Sequence, residues 1–278
     1  MKYLLLTGCL LAGVSHAALA QPTRAKAAIA AAKPSAPLAA LFTNYWEEQT
    51  RLYPLQATSQ GDNRYNDQLP NSGTQAFRQS QRRLYTHYRD ELARLDRSKL
   101  SASEQTSYDI FQYEMNMRLR TAAQPLWMLP FTQFSGLPIE LPQLGAGTGS
   151  QPFKTPADYD NWLRRVHQFP AWADTAMANF RQGMRTGVVL PKVLVQKMIP
   201  QLEAIAVDDP TQSVFYGPIR QLPASFSAAD KQRLTTAYQA VIRGELTPTY
   251  RKLAAFLKND YLPAARTSTG ISAVPGGA

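Results

Sequence analysis

Cysteine is almost absent from this chain of 278 residues, since the single one is Cys9, within the first 20 residues. Residues 21–278 can therefore form no disulfide, and they contain no thiol nucleophile and no cysteine ligand for a metal ion. Histidine is nearly as scarce there, because only His87 and His167 remain. Zinc-dependent hydrolases commonly carry His-Glu-x-x-His on one helix, and this motif is missing. The sequence predicts no metal site in this chain.

Other catalytic motifs are missing as well. No Gly-x-Ser-x-Gly turn presents a serine nucleophile. The glycines at 145, 147 and 149 are not followed by Gly-Lys-Ser/Thr, so they indicate a flexible connector and not a phosphate-binding loop. Acid–base catalysis by two carboxylates needs a shared pocket, which sequence spacing does not establish here. We therefore assign no catalytic residue and expect no cofactor in this chain.

The N-terminus has the features of a secretory signal peptide. Lys2 precedes an apolar core at residues 4–14, and Ala18-Leu19-Ala20 gives a small-x-small cleavage pattern. We predict a signal peptide at residues 1–20, cleaved between Ala20 and Gln21, and a periplasmic or extracellular protein. Residues 6–9 imitate a lipoprotein cleavage box, but cleavage there would leave almost no hydrophobic core, so lipidation is the less favoured interpretation. No later apolar run is long enough for a membrane span.

The chain carries an excess of positive charge, with 30 Lys and Arg against 20 Asp and Glu. Such an excess indicates either an anionic partner or a solvated basic surface. No basic run exceeds two residues, and the arginines of residues 82–97 alternate with acidic residues. We favour the solvated surface, and we expect no nucleic-acid partner for an exported protein.

Apolar residues at three- and four-residue spacing predict helices through most of residues 38–263, after a disordered Ala- and Pro-rich leader at 21–37. The first predicted helix ends before Pro54, and the second covers residues 74–96. Ser101 and Glu104 have the spacing of a capping box at the start of the third. Ser227 with Asp230 marks the last helical region, in which Pro248 predicts a kink or a short break. The predicted fold class is mainly α.

A helical hairpin at residues 155–205 is the strongest pattern. Thr155, Pro156 and Asp158 form a helix start, and the apolar stripe from Trp162 to Met184 follows. Gly187 ends this helix and Pro191 opens the next one. Such wide apolar faces cannot be covered by two helices alone, so the pattern predicts a multi-helix array of antiparallel hairpins.

Residues 124–152 interrupt the helical pattern with five prolines and four glycines. We expect no helix there, although residues 131–141 permit one or two short strands, with Gly136 as a bulge or turn. Two interpretations stay open, a segment along a cleft and a surface loop fixed by its aromatic residues. The cleft interpretation makes Trp127, Phe131, Phe134 and Gly136 the candidate substrate-lining residues.

Several stretches together resemble one bacterial family, the domain-of-unknown-function 885 family. They are Phe42-Thr-Asn-Tyr45, Pro54-x-x-Ala57-Thr58-x-x-Gly61, Ser135-Gly136 to Pro142, Arg185-Thr-Gly187-x-x-Leu190-Pro191, Leu262-Pro-Ala-Ala-Arg266 to Gly270 and Pro275-Gly276-Gly277. The resemblance covers nearly everything after Leu38. It implies an exported or lipid-anchored, largely helical protein that is longer than this chain and resembles zinc metallopeptidases.

The resemblance implies that the zinc-binding His-Glu helix belongs to a C-terminal half beyond this sequence, with residues 264–278 as the linker toward it. No metal or catalytic residue of the family falls on a position of this chain. We therefore hypothesise that this chain is the N-terminal helical portion of an exported peptidase-like protein. This portion would bind peptide together with the missing half. The alternative hypothesis is a non-catalytic helical binding module of the cell envelope.

Overall fold

A computed structural model describes residues 35–277, and the regular elements within that range are all helical. The helices are α1 (Ala36–Leu52), α2 (Pro54–Ser59), α3 (Gln75–Ala93), α4 (Ala102–Ala123), α5 (Leu137–Gly145), α6 (Pro156–Val166), α7 (Phe169–Thr186), α8 (Lys192–Ile205), α9 (Gly217–Arg220), α10 (Ala228–Val241), α11 (Thr247–Phe256) and α12 (Leu262–Ala264). Two π-helical turns, Ile242–Leu246 and Leu257–Tyr261, join α10, α11 and α12. The predicted fold class, a mainly α multi-helix array, is confirmed. The predicted signal peptide and its cleavage site at Ala20 and Gln21 lie outside the described residues.

The predicted helix starts are confirmed by their capping hydrogen bonds. Thr155 Oγ1 accepts from the Asp158 backbone N–H, and the Asp158 carboxylate accepts in return from the Thr155 N–H at 2.8 Å. Ser101 and Glu104 form the same reciprocal box at α4. Each such cap contributes about 1 kcal/mol to its helix. At the other end of the hairpin, Gly187 has a φ of +78°, a left-handed conformation that ends α7.

The first arm of the predicted hairpin is divided into two helices. The sequence predicts one helix from Thr155 onward, but α6 ends at Val166 and α7 begins at Phe169. Pro170 is the reason, because proline has no N–H to donate to the Val166 carbonyl four residues earlier. Pro170 instead occupies the first turn of α7, where a missing N–H costs nothing. The break at Pro248 likewise takes the form of a π-helical turn just before α11.

The prediction that residues 124–152 contain no helix is wrong. This segment holds a 3₁₀ turn at Pro125–Met128 and the helix α5, and none of its described residues forms a strand. Pro142 lies inside α5 and removes the N–H that would bond to the Pro138 carbonyl. The buried Tyr250 hydroxyl donates to that carbonyl at 3.0 Å. The helix tolerates Pro142 because α11 supplies the missing donor.

The apolar side chains form two separate cores. The large core consists mainly of buried side chains of α5 to α8, α10, α11 and the π turns, including Trp162, Phe169, Phe180, Val195, Leu253 and Tyr261. The small core consists of buried side chains of α1, α3 and α4, namely Leu38, Leu41, Tyr45, Leu84, Tyr85, Tyr88, Leu92, Tyr108 and Met115. Because α4 contributes only Tyr108 and Met115, most of its surface is left outside the core.

A buried arginine on α6 connects segments that lie far apart in the sequence. The guanidinium of Arg165 donates to Thr58 Oγ1 at 3.0 Å, to the carbonyls of Tyr65 and Gln68, and to Gln151 Oε1 at 2.6 Å. Burial lowers the pKa of Arg165 to about 10, and the charge of Asp67 opposes this shift. Thr58 belongs to the Ala57-Thr58-x-x-Gly61 stretch, so this part of the family resemblance has a structural role.

The segment after α12 packs against the turn between α7 and α8. The Arg266 N–H donates to the Leu190 carbonyl at 3.1 Å, and the Arg266 carbonyl accepts from the Lys192 N–H at 2.7 Å. These bonds form the isolated parallel bridge between Pro191 and Arg266. Two stretches that carry the family resemblance therefore meet in space. Between residues 35 and 277, no helix combines the length and the apolar composition that crossing a membrane requires.

Candidate binding cleft

A cleft of about 550 Å³ opens between the two cores. The small core contributes α3 and α4, the large core contributes α7, and the 3₁₀ turn Pro125–Met128 lies between them. Its charged lining residues are Arg78, Glu114 and Arg118, and its polar lining includes Tyr53, Ser72, Gln81, Tyr85, Thr121 and Gln124. Met117, Leu126, Trp127, Leu129, Pro130 and Trp172 give it apolar surface. The cleft thus combines cations, hydrogen-bonding groups and aromatic faces.

Arg78 is held in place from two sides. Its guanidinium carbon lies 4.3 Å from the centre of the Trp127 ring, a cation–π contact. One Nη1 N–H donates to the Gly73 carbonyl at 2.6 Å. Burial lowers the pKa of Arg78, and the nearby positive charge of Arg82 lowers it further. Arg78 lies seven residues before the buried Tyr85 on α3, so the two share a helix face, which explains why Arg78 is turned toward the cleft.

Arg118 differs because it already has a counterion. Its Nη2 lies 2.7 Å from Glu114 Oε1, four residues earlier on α4. Another guanidinium N–H donates to the Tyr85 hydroxyl oxygen at 3.4 Å, and the guanidinium lies 5.4 Å from the Tyr85 ring centre. This geometry positions Arg118 against the α3 side of the cleft.

Two tyrosines form a hydrogen-bonded pair beside Arg118. The hydroxyls of Tyr53 and Tyr85 share a hydrogen bond, and Gln81 Nε2 donates to the Tyr53 oxygen at 2.8 Å. Burial raises the pKa of Tyr53, and the hydrogen bond to Tyr85 acts in the same direction. The Tyr53 phenol therefore stays protonated at neutral pH, where it serves as a hydrogen-bonding group and not as a base.

The structure separates the four residues that the sequence proposes as substrate-lining. Trp127 lines the cleft, and Gly136 lines an adjoining cavity of about 310 Å³ together with Tyr53 and Trp172. Phe131 is a member of the large core and only 2% exposed, whereas Phe134 is 77% exposed. Gly136 has a φ of +107°, and a Cβ there would lie 2.5 Å from that of Phe131. Its conformation serves the turn into α5.

The polar residues of the cleft were not predicted from the sequence. Arg78, Gln81 and Tyr85 recur along α3 at spacings of three and four, and Glu114, Arg118 and Thr121 do so along α4. These spacings place each trio on one helix face. A polar stripe at core-like spacing is therefore the pattern that could have identified them. This stripe was not recognised because arginines in a helix are usually surface residues.

The described residues do not fit the zinc ion that the family resemblance implies. Within residues 35–277, no three His, Cys, Asp or Glu side chains lie close enough to hold a metal ion. His167 Nδ1 lies 2.8 Å from the Glu245 carboxylate, on the surface. His87 is exposed and lies beside Arg51 and Arg83. Two isolated imidazoles, one of them beside arginines, are not a zinc donor set.

The fold is similar to that of a longer bacterial protein. "The putative lipoprotein from Colwellia psychrerythraea" superposes with a TM-score of 0.71 and 20% sequence identity. The match covers 86% of this chain but only 43% of the other, so this chain spans less than half the length of that protein. At this identity the similarity shows the fold alone. No curated protein matches the sequence.

Residues 54–278 match the family described as "Bacterial protein of unknown function (DUF885)". The match begins at α2 and includes α3, α4, α7 and the Pro125–Met128 turn, so the helices that line the cleft lie within it. It also includes the turn after α7 and the segment that packs on it. This protein therefore belongs to the DUF885 family.

Proposed function

We propose that this chain is the N-terminal, peptide-binding portion of an exported peptidase-like protein, and that the cleft between the two cores binds the peptide. The cleft is the observation that carries the proposal. Its phenols, amides and arginines can hydrogen-bond to peptide groups, while Trp127 and Leu126 offer surface for apolar side chains. Ligand sites in proteins typically combine apolar walls with a few fixed polar groups in this way.

The peptide is expected to lie in a groove between helices. Addition of a peptide to a strand edge would need a strand, and residues 124–152 supply none among those described. Recognition between helices instead depends on side-chain donors and apolar contacts. Gln81 and Gln124 can pair with peptide amides, and Leu126 is half exposed at the cleft.

The chemistry of cleavage is proposed to come from residues of a longer protein outside this sequence. Zinc in a metallopeptidase activates a water molecule for attack on the peptide bond. Residues of this chain would hold and orient the peptide. The length of the lipoprotein with the similar fold, of which this chain covers 43%, supports this division. The predicted signal peptide and that protein's description as a lipoprotein support export.

A matched pair of tryptophan substitutions tests the cleft. Ala122 lines the cleft, whereas the adjacent Ala123 is exposed and does not. Both lie in the last turn of α4, so Ala122→Trp and Ala123→Trp change helix propensity equally. We would incubate the immobilised protein with tryptic peptides of casein and quantify the retained peptides by mass spectrometry.

We expect the wild type and Ala123→Trp to retain the same peptides, and Ala122→Trp to lose most of them because the indole fills the cleft. Retention that is equal in both variants would place peptide binding elsewhere, and a wild type that retains nothing would overturn the proposal.

The peptidase part of the proposal has its own test. Zinc content and casein cleavage would be compared between residues 21–278 and the protein isolated from its own host. We expect zinc and cleavage only with a longer host protein. Stoichiometric zinc in residues 21–278 would contradict the proposal. A host protein no longer than this chain, with peptide binding but no cleavage, would favour the alternative of a non-catalytic binding module.

A further inference from the structure

The charges that line the cleft do not balance. Two arginines and one glutamate line it, and Glu114 is paired with Arg118 at 2.7 Å. Arg78 takes part in no ion pair among residues 35–277, and no acidic side chain contributes to its pKa. The charged side chain that affects the pKa of Arg78 is that of Arg82, which is also positive. One positive charge in the cleft is therefore uncompensated.

That uncompensated charge is also partly removed from water. The Arg78 side chain is half-buried between the Gly73 carbonyl and the Trp127 ring, and this burial lowers its pKa. A cation that loses hydration without gaining a counterion is costly to the fold. Groups whose pKa values are shifted in this way cluster at functional sites. An anionic group would relieve this cost directly.

The guanidinium is oriented before any ligand arrives. The cation–π contact with Trp127 holds the guanidinium on one side, and one Nη1 N–H is used by the Gly73 carbonyl. No other described residue accepts from Nε or Nη2, so these two donors are available side by side. A pair of parallel N–H groups matches the two oxygens of a carboxylate. Because the orientation is already fixed, little side-chain entropy is lost on binding.

We propose that Arg78 is a carboxylate-binding residue, so that the cleft selects peptides with a carboxylate at this position and an apolar side chain beside it. The inference rests on the proposed peptide-binding function and adds the class of peptide. The half-exposed side chains of Met117 and Leu126 lie in the same cleft and provide the apolar contact. The carboxylate is either a free C-terminus or an acidic side chain, which share this chemistry.

Four synthetic tetrapeptides distinguish these two sources. They are acetyl-Ala-Gln-Phe-Leu with a free C-terminus, the same peptide amidated, amidated acetyl-Ala-Glu-Phe-Leu, and amidated acetyl-Ala-Gln-Phe-Val as a neutral reference. Dissociation constants would be measured by calorimetry on the whole chain. We expect one carboxylate-bearing peptide to bind about tenfold to a hundredfold more tightly than its neutral counterpart. Preference for the free acid identifies a C-terminal carboxylate, and preference for the glutamate peptide identifies a side chain.

Variants of Arg78 complete the test. Arg78→Gln should abolish the preference, and Arg78→Lys should retain part of it, since lysine keeps the charge but lacks the planar fork. Arg83→Gln removes the same charge from an exposed position on α3 outside the cleft and should keep the full preference.

Equal binding of all four peptides by the wild type, or a preference that survives Arg78→Gln, would overturn the carboxylate inference and leave peptide binding intact. Failure of every peptide to bind would instead count against the proposed function. A thermal unfolding curve for each variant checks that the fold is unchanged, and Arg78→Lys keeps the question decidable if Arg78→Gln unfolds.

Discussion

The two cores of this protein differ in how completely their helices are covered. Helices of the large core bury aromatic side chains against one another, as Phe180 does against Phe131, Phe256 and Tyr261. In the small core, α4 packs through one face only. On its outer face Ile110 and Tyr113 are 63% and 68% exposed, and Met117 continues that face toward the cleft.

This difference explains where the cleft lies. Tyr85 and Arg118 belong to helices of the small core, while Trp172 belongs to the large core, and all three line the cleft. Regions with fewer buried contacts open more easily than the centre of a fold. We therefore expect the large core to set the stability of the chain and the small core to adjust the width of the cleft.

The largest expected effect comes from truncating the centre of the large core. Phe180→Ala removes a fully buried ring and leaves a cavity, which should lower the free energy of unfolding by about 3–5 kcal/mol. Phe134→Ala makes the same chemical change at an exposed position and should stay within about 0.5 kcal/mol. Urea denaturation followed by circular dichroism measures both. Similar losses in the two variants would mean that Phe180 is not part of a tightly packed core.

One substitution applied to both cores compares them directly. Leu253 on α11 and Leu92 on α3 are both fully buried, in the large and the small core respectively. We expect Leu253→Ala to cost about 4 kcal/mol and Leu92→Ala about 3 kcal/mol, because the half-exposed α4 can move to fill part of the cavity. In the Leu92→Ala variant, hydrogen exchange should become faster in α1, α3 and α4 but not in the helices of the large core. Faster exchange throughout the chain would show that the two cores open as one unit.

The sequence predicted those parts of the fold that depend on neighbouring residues. The helix starts at Thr155 and Ser101 use side chains three residues away, so their pattern is visible in the chain. The prediction that residues 124–152 contain no helix was wrong because the hydrogen bond that Pro142 cannot make is replaced by one from Tyr250. Tyr250 lies on α11, far along the sequence. The packing of Arg266 against Leu190 is equally non-local, so residues 264–278 were expected only as a linker.

The candidate site shows the same limit. Trp127 was proposed from the sequence because aromatic residues in a Pro- and Gly-rich segment are conspicuous. Arg78 was not, because its significance depends on Trp127, Gly73 and the absence of a nearby acid among the described residues, which only the fold brings together. Local chemistry is visible in a sequence, whereas the pairing of charges across helices is not.

A smaller effect tests how α5 is stabilised within the large core. Tyr250→Phe keeps the ring but removes the donor to the Pro138 carbonyl, leaving a buried acceptor without a partner. We expect a loss of about 2 kcal/mol, with faster hydrogen exchange in α5 than in α10. The matched variant Tyr113→Phe, on the exposed face of α4, should change nothing measurable. An unchanged Tyr250→Phe protein would show that α5 accommodates Pro142 without this bond.

The smallest effect concerns the response of the large core to alkaline pH. Burial raises the pKa of Tyr261 to about 12, although the Leu190 N–H and the charge of Arg266 lower it in part. The unfolded chain loses this proton near pH 10, so the stabilisation is complete below about pH 10 and disappears as the pH rises toward 12. Tyr261→Phe lacks this titration. The stability difference between wild type and variant should therefore shrink by about 1 kcal/mol from pH 10 to pH 11. Urea denaturation at both pH values measures it, and a difference that stays constant would mean that the Tyr261 hydroxyl reaches water.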